Sequence, residues 1–118
     1  MKFDDENKVI TLLTPGGNTM VFSDQDEGIT ITDQNSNKIE MGTDGITIDS
    51  QANLTLKAAQ DVTIQGMSVS VSGDQSISNS AASISISGDQ STSISGTAEC
   101  SIESSGQMSV KGLTVMIN

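Results

Sequence analysis

The sequence predicts an all-β protein with an elongated fold, and three observations lead to this prediction. Aromatic residues are nearly absent, because the 118 residues include two Phe and neither Trp nor Tyr, which suits a thin core better than a round one. Apolar residues recur in pairs two positions apart, which is the period of a strand. The pairs themselves recur at a short, nearly fixed spacing, which is typical of stacked repeats.

The spacing of the apolar pairs divides the chain into two parts of one continuous domain. In residues 1–45 the pairs lie nine or ten residues apart, so we expect strands joined by longer turns, such as the Pro-Gly-Gly-Asn turn at 15–18. In residues 46–118 the step is eight, shortened to seven in places. Gly-Asp and Ser-Gly pairs mark the corners there, because Gly and Asp accept the backbone angles of sharp turns. We therefore expect a regular octad β-helix that ends in a blunt C-terminal tip.

Each octad strand offers only two side chains to a core, so it is stable only when it stacks on other strands about 4.8 Å away. A single-chain, three-sided β-helix would satisfy this pattern, and so would three chains wound round one axis. The three-chain form is favoured because a single chain would make only about five coils with no segment to cap its ends. The predicted fold is thus a triple-stranded β-helix, an intertwined homotrimeric β-prism. Its predicted trimer core is Ile46, Ile48, Leu54, Leu56, Val62, Ile64, Val69, Val71, Ile84, Ile86, Ile94, Cys100, Ile102, Met108 and Val110.

Charge and composition disfavour several classes of function. The formal net charge is −10 with five Lys and no His, so no basic stripe is available for nucleic acid. A catalytic system that needs His is absent, and we predict no enzyme activity. The acid pairs Asp4/Asp5 and Asp24/Asp26 lack the ligand spacing of a calcium loop and are interpreted as solvated surface.

We predict no cofactor and no metal site. The single cysteine excludes an intrachain disulfide framework. Cys100 is interpreted as a small apolar core residue, although three copies near an axis would offer soft ligands. Asn79 and Thr92 stand where an apolar residue is expected, so they introduce local polarity into the core. An ion or water on the axis is the alternative for these two positions.

Targeting signals are not evident in the sequence. The opening MKFDDENK is not followed by the apolar stretch of a signal peptide, and no apolar run is long enough to span a bilayer. We expect a protein that stays in the cytosol or leaves by a route that reads no N-terminal signal.

The segment 45–66, GITIDSQANLTLKAAQDVTIQG, resembles the C-terminal β-helix of valine-glycine repeat (VgrG) spike proteins of type VI secretion and related contractile injection systems. Phe3-Asp4-Asp5 with the turn at 15–18 is similar to the start of that β-helix, and residues 110–118 are similar to its blunt tip. The resemblance covers essentially the whole chain. It carries over no iron site, because this chain has no His, and we expect no toxin domain after Asn118.

The resemblance implies a non-enzymatic, homotrimeric spike that pierces membranes at the head of a contractile tube. Full-length members carry preceding domains that connect the spike to the tube and baseplate, so we expect this chain to be part of a longer protein. Such spikes assemble in the bacterial cytoplasm, are then injected outward, and contact the target membrane transiently. Their flat tip binds a PAAR-repeat protein that can carry effectors. The predicted tip-binding residues are Leu113, Val115, Met116, Ile117 and Asn118.

A second class of function fits the same repeat. The Ser-rich strands at 68–72 and 83–87 would give a single-chain β-solenoid an outward face that binds ice, a glycan or another surface or polymer. The outward positions mix Ser, Thr, Asp, Glu and Lys, which disfavours a uniform binding face. A β-helix enzyme that cleaves polysaccharides is disfavoured further, because no acid–base pair with a basic residue beside it is apparent.

Overall fold

The computed structural model describes all 118 residues and contains strands but no helix, which confirms the predicted all-β class. Six strands form one sheet in chain order, and each is antiparallel to the next. They are β1 (Lys2–Asp4), β2 (Val9–Leu13), β3 (Thr19–Ser23), β4 (Gly28–Thr32), β5 (Lys38–Gly42) and β6 (Gly45–Asp49). The longer spacing of the apolar pairs in this part thus corresponds to hairpin turns that reverse the chain.

The turn between β4 and β5 shows how the sequence produces these reversals. The Asp33 carboxylate accepts hydrogen bonds from the backbone N–H groups of Asn35 at 2.8 Å and Asn37 at 2.9 Å. The Asn37 side-chain amide also donates to this carboxylate, at 2.9 Å. Ser36 takes the left-handed conformation with φ 68°. Side chains that bind their own backbone in this way favour turns over continued strand.

Gly28 permits a close approach between β4 and β5. A Cβ atom at this position would lie 2.7 Å from the carbonyl oxygen of Met41, which is too close for any side chain. Gly42 pairs at the same level on β5, yet a Cβ there would meet nothing within 4 Å. Only one of these two glycines is therefore required by packing.

Beyond Asp49 the chain is extended and broken by bends at a regular interval. The bends fall at residues 51–52, 59–60, 67–68, 74–75, 82, 89–90, 97–98, 105–106 and 113. This interval is close to eight residues and matches the octad step of the sequence. The predicted corner at 105–106 coincides with a bend, and those at 73–74 and 88–89 each overlap a bend by one residue.

One tight bend geometry recurs. A Cβ atom at Gly73 would lie 2.7 Å from the carbonyl oxygen of Ser76, three residues on. At Gly88 and Gly96 the corresponding carbonyl oxygens, of Ser91 and Glu99, would be closer still. Glycine is therefore required at these corners because the backbone folds back over the position of its missing side chain.

The chain separates into two compact units, Met1–Val69 and Ser70–Asn118. No residue after Asp49 belongs to a strand, and all backbone–backbone hydrogen bonds outside the strands lie between residues 8 and 37. A single-chain β-helix would need parallel pairing between residues roughly 24 positions apart, and the chain shows none of it. The structure contains no helix that could cross a bilayer.

Candidate association surface

The register of the sheet collects its apolar side chains on one face. Residues directly opposite each other, and residues two apart along a strand, share a face of a sheet. The first apolar row is Phe3, Ile10, Phe22, Ile29, Met41 and Ile46. The second row is Leu12, Met20, Ile31, Ile39 and Ile48. We call these two rows together the apolar face.

The opposite face of the sheet is mostly polar. Its central row pairs Thr11, Val21, Thr30, Glu40 and Thr47 across the strands. Lys38 and Glu40 form an ion pair on this face, with 2.6 Å between Nζ and Oε2. The hydrogen bond from the Lys38 ammonium group to the Glu40 carboxylate is the main cause that raises the pKa of Lys38. A sheet with one polar and one apolar face is built for solvent on the first and a packing partner on the second.

Nothing within the chain covers the apolar face. No hydrophobic side chain is buried, and the only buried residue is Ser23, whose hydroxyl donates to Asp26 at 2.8 Å in a turn. Phe22 and Ile39 are each 38% exposed, and exposure reaches 71% at Ile46 on β6. An open apolar face of this extent marks an association surface.

The accessible surface area measures how much of the single chain is left uncovered. The single chain exposes 11621 Å². A compact monomer of its mass, 12.2 kDa, would expose about 6,000 Å². The single chain thus leaves nearly twice the area of a compact monomer in contact with water.

The predicted octad core positions are exposed in the single chain as well. Leu54 is 56% exposed and Val71 is 71% exposed, and Cys100 is also exposed. Within each pair the first side chain is generally the less exposed one, as at Ile84 with 55% and Ile86 with 72%. These positions stay a prediction about the assembled protein, since only neighbouring chains would bury them.

The predicted tip residues lie in the extended C-terminal segment. Leu113 sits at the last bend and is fully exposed, and Met116 and Ile117 are 90% and 93% exposed. Val115 is half-exposed, and Asn118 is exposed. No three Cys, Asp or Glu side chains are grouped in a way that could hold a metal ion.

Two asparagines that were not predicted from the sequence link successive turns at one end of the strands. Asn18 Oδ1 accepts a hydrogen bond from the backbone N–H of Gln34 at 3.1 Å. Asn37 Oδ1 accepts one from the backbone N–H of Gln51 at 2.8 Å. Each asparagine is the fifth residue of a turn that opens with Thr or Asp, and this shared pattern is the sequence signal that identifies them.

Residues 9–76 match the family model described as the phage baseplate V C-terminal trimerisation domain. The match covers more than half of the chain and includes β2 to β6 and the first octads. A comparison with curated proteins finds no match.

Proposed function

The chain belongs to the family of phage baseplate V C-terminal trimerisation domains, and from this membership we propose that three copies form a structural spike segment of a contractile injection apparatus. The observation that carries the proposal is the apolar face. It spans all six strands and finds no cover within its own chain. Three copies related by a three-fold axis would turn three such faces toward one another and bury both rows.

In the proposed assembly the octad segment forms an interleaved triple-stranded β-helix. The extended stretches between bends have no backbone partners in the single chain, and strands of neighbouring copies would supply them. Every layer would then belong to all three chains, so that no part could open under axial load without separating the others. Ile and Val suit this narrow core because their side chains are stiff at χ1.

The oligomeric state tests this proposal first. Light scattering on a size-exclusion column should give a mass of three times 12.2 kDa that persists on dilution. The physical reason is that a single chain buries no apolar side chain. A copy that dissociated from the trimer would therefore return its apolar side chains to water, so the folded state is linked to association. A single-chain mass at all concentrations would overturn the spike proposal.

We propose further that the C-terminal end binds a PAAR-type tip protein and so carries effectors. Leu113, Met116 and Ile117 leave apolar side chains and unpaired backbone groups at the end of the chain, which suits docking of a partner. The preceding domains of a full-length protein would connect the segment to the baseplate and tube. Assembly in the bacterial cytoplasm, outward injection and brief contact with a target membrane complete this proposal.

A matched pair of variants tests the tip. Leu113 and Met67 both follow a glycine at a bend and are both fully exposed. Leu113→Asp should weaken binding of a PAAR-type protein at least tenfold, since it places three charges on the apolar end, whereas Met67→Asp should leave binding unchanged. Affinity measured by biolayer interferometry decides between them. Equal affinities for the two variants would contradict a binding site at this end.

A further inference from the structure

We propose that neighbouring copies of this chain dock through opposite ends of their sheets. One end carries the turns 5–8, 24–27 and 43–44, and we call it the acidic end. The other carries the turns 14–18 and 33–37, and we call it the amide end. The acidic end of one copy receives the amide end of the next. This inference rests on the proposed trimer and adds to it which surfaces of the copies meet and what disfavours other contacts.

Negative charge is concentrated at the acidic end. Its three turns and the strand residues beside them contain seven acidic residues and one lysine, which gives a net charge of −6. The amide end contains Asp33, Asp49 and Lys38, a net charge of −1, and its two turns include four Asn or Gln side chains. Contact between two acidic ends would bring like charges together, which disfavours a dimer joined through like ends. Contact between unlike ends brings the carboxylates to amide donors instead.

The turns at the two ends differ in height along the stack of strands. Turns of the acidic end join β1 to β2, β3 to β4 and β5 to β6, whereas those of the amide end join β2 to β3 and β4 to β5. Turns at one end therefore recur every two strands, about 9.6 Å, and the two ends are offset by one strand, about 4.8 Å. A three-fold axis that runs across the strands keeps every turn at its own height. The turn 33–37 of one copy then fits between the turns 24–27 and 43–44 of the next.

Hydrogen bonds fix the spacing of the turns at both ends. At the amide end, Asn18 Oδ1 accepts a hydrogen bond from the backbone N–H of Gln34 at 3.1 Å and so joins the two turns. At the acidic end, the backbone N–H of Asp24 donates to the carbonyl oxygen of Lys8 at 3.1 Å and joins the first two turns. Both ends are therefore formed within the single chain, and preformed surfaces lose less conformational entropy on docking.

The same contact joins the apolar faces of neighbouring copies. The first apolar row lies toward the acidic end of the strands, and the second lies toward the amide end. Docking of unlike ends at equal height therefore places the first row of one copy beside the second row of the next. At the level of β3 this brings Phe22, which is 38% exposed in the single chain, to Met20 of the neighbouring copy. A methionine sulfur packs favourably against an aromatic ring.

A double-mutant cycle tests the inference. Glu27 and Gln34 are exposed and flank β4, so the proposed docking brings Glu27 of one copy near Gln34 of the next. Gln34→Glu should lower the association constant of the trimer about tenfold, because each of three contacts gains a repulsion of the size of one surface ion pair. Glu27→Lys in the same chain should offset this loss, since it places an ammonium group opposite the new carboxylate. Urea unfolding at several protein concentrations measures the constants, and light scattering measures the mass of each variant.

The distance within one chain makes this cycle specific for contact between copies. The two substituted residues lie at opposite ends of β4, about 20 Å apart along an extended strand. This separation exceeds the Debye length of about 10 Å at an ionic strength of about 0.1 M, at which the cycle is measured. Gln107→Glu is the control, because it adds the same charge outside the sheet.

The expected result is a loss in Gln34→Glu that Glu27→Lys restores, with additive effects when Gln107→Glu replaces the first substitution. Two outcomes in a protein with the mass of three chains would overturn the inference and leave the spike proposal standing. They are additive effects of Gln34→Glu and Glu27→Lys, or an equally large coupling with the control. A single-chain mass for the unsubstituted protein would overturn the spike proposal, and the inference with it.

Discussion

Asp33 illustrates how one side chain fixes a turn of the sheet. Its carboxylate accepts hydrogen bonds from Asn35 and Asn37, and the bond from the Asn37 side chain is the main cause that lowers the pKa of Asp33 from its ordinary value of 3.8. Asp4 is held in the same manner by Asn7, which lowers the pKa of Asp4. Both carboxylates therefore favour the folded turns when they are ionised.

The lowered pKa of Asp33 predicts a pH-dependent contribution to stability. A carboxyl group whose pKa is lower in the folded state stabilises the fold above its unfolded pKa of 3.8, and the stabilisation is lost as the pH falls through the folded value. Asp33→Asn should therefore lower the thermal unfolding midpoint at pH 7, and the difference from the unsubstituted protein should shrink between pH 4 and pH 2.

Circular dichroism melts across this pH range measure the difference. Asp5→Asn removes the same charge from a carboxylate without a hydrogen-bond partner, so it controls for net charge. A difference between Asp33→Asn and the unsubstituted protein that stays constant down to pH 2 would show that the charge of Asp33 does not hold the turn.

At the scale of the element, the pairing of β4 with β5 depends on one glycine. Gly28 faces the carbonyl oxygen of Met41 so closely that an added methyl group would push the two strands apart. Gly42 lies at the same level on β5 with open space around its missing side chain. A comparison of the two positions therefore distinguishes the effect of close packing from the general effect of a glycine on the stability of a strand.

The two glycines give a matched pair of alanine variants. Gly28→Ala should destabilise the protein by about 1–3 kcal/mol, which is the usual cost of overpacking. Gly42→Ala should be neutral or slightly stabilising, because alanine reduces the freedom of the unfolded chain and meets no neighbour. Denaturant midpoints at one fixed protein concentration measure both. A loss at Gly42→Ala as large as that at Gly28→Ala would show that the close contact with Met41 is not the cause.

Across the whole molecule, the sequence predicts the positions of the strands up to Asp49 well and the partners of those strands poorly. The apolar pairs Ile10/Leu12 and Ile39/Met41 lie in strands as expected, because a period of two is a local signal. The antiparallel order of β1 to β6 was not predicted, since it depends on turns such as 33–37, where side chains bind the backbone. The bond between Asn18 and Gln34 joins residues sixteen positions apart, so the turn pattern that identifies Asn18 does not identify its partner.

The candidate association surface could likewise be predicted only in part. The octad spacing predicts a trimer core from Ile46 onward, whereas the register of the sheet extends the apolar face back through Phe22 to Phe3. This extension follows from pairing across strands and not from spacing along the chain. The repeat directly predicts which octad positions belong to the core. It gives no information on the neighbouring chains that would bury them.

The recurrence of a bend about every eight residues has a consequence for how such a spike can change in evolution. In a single-chain coil, a deletion preserves the stacking only if it removes a complete turn of about 24 residues. In the proposed trimer, the loss of one octad moves each chain by one face, and the three-fold axis maps the result onto itself. Length could then vary in small increments while both ends keep their structure, so that the reach of the device is adjustable independently of what it attaches to.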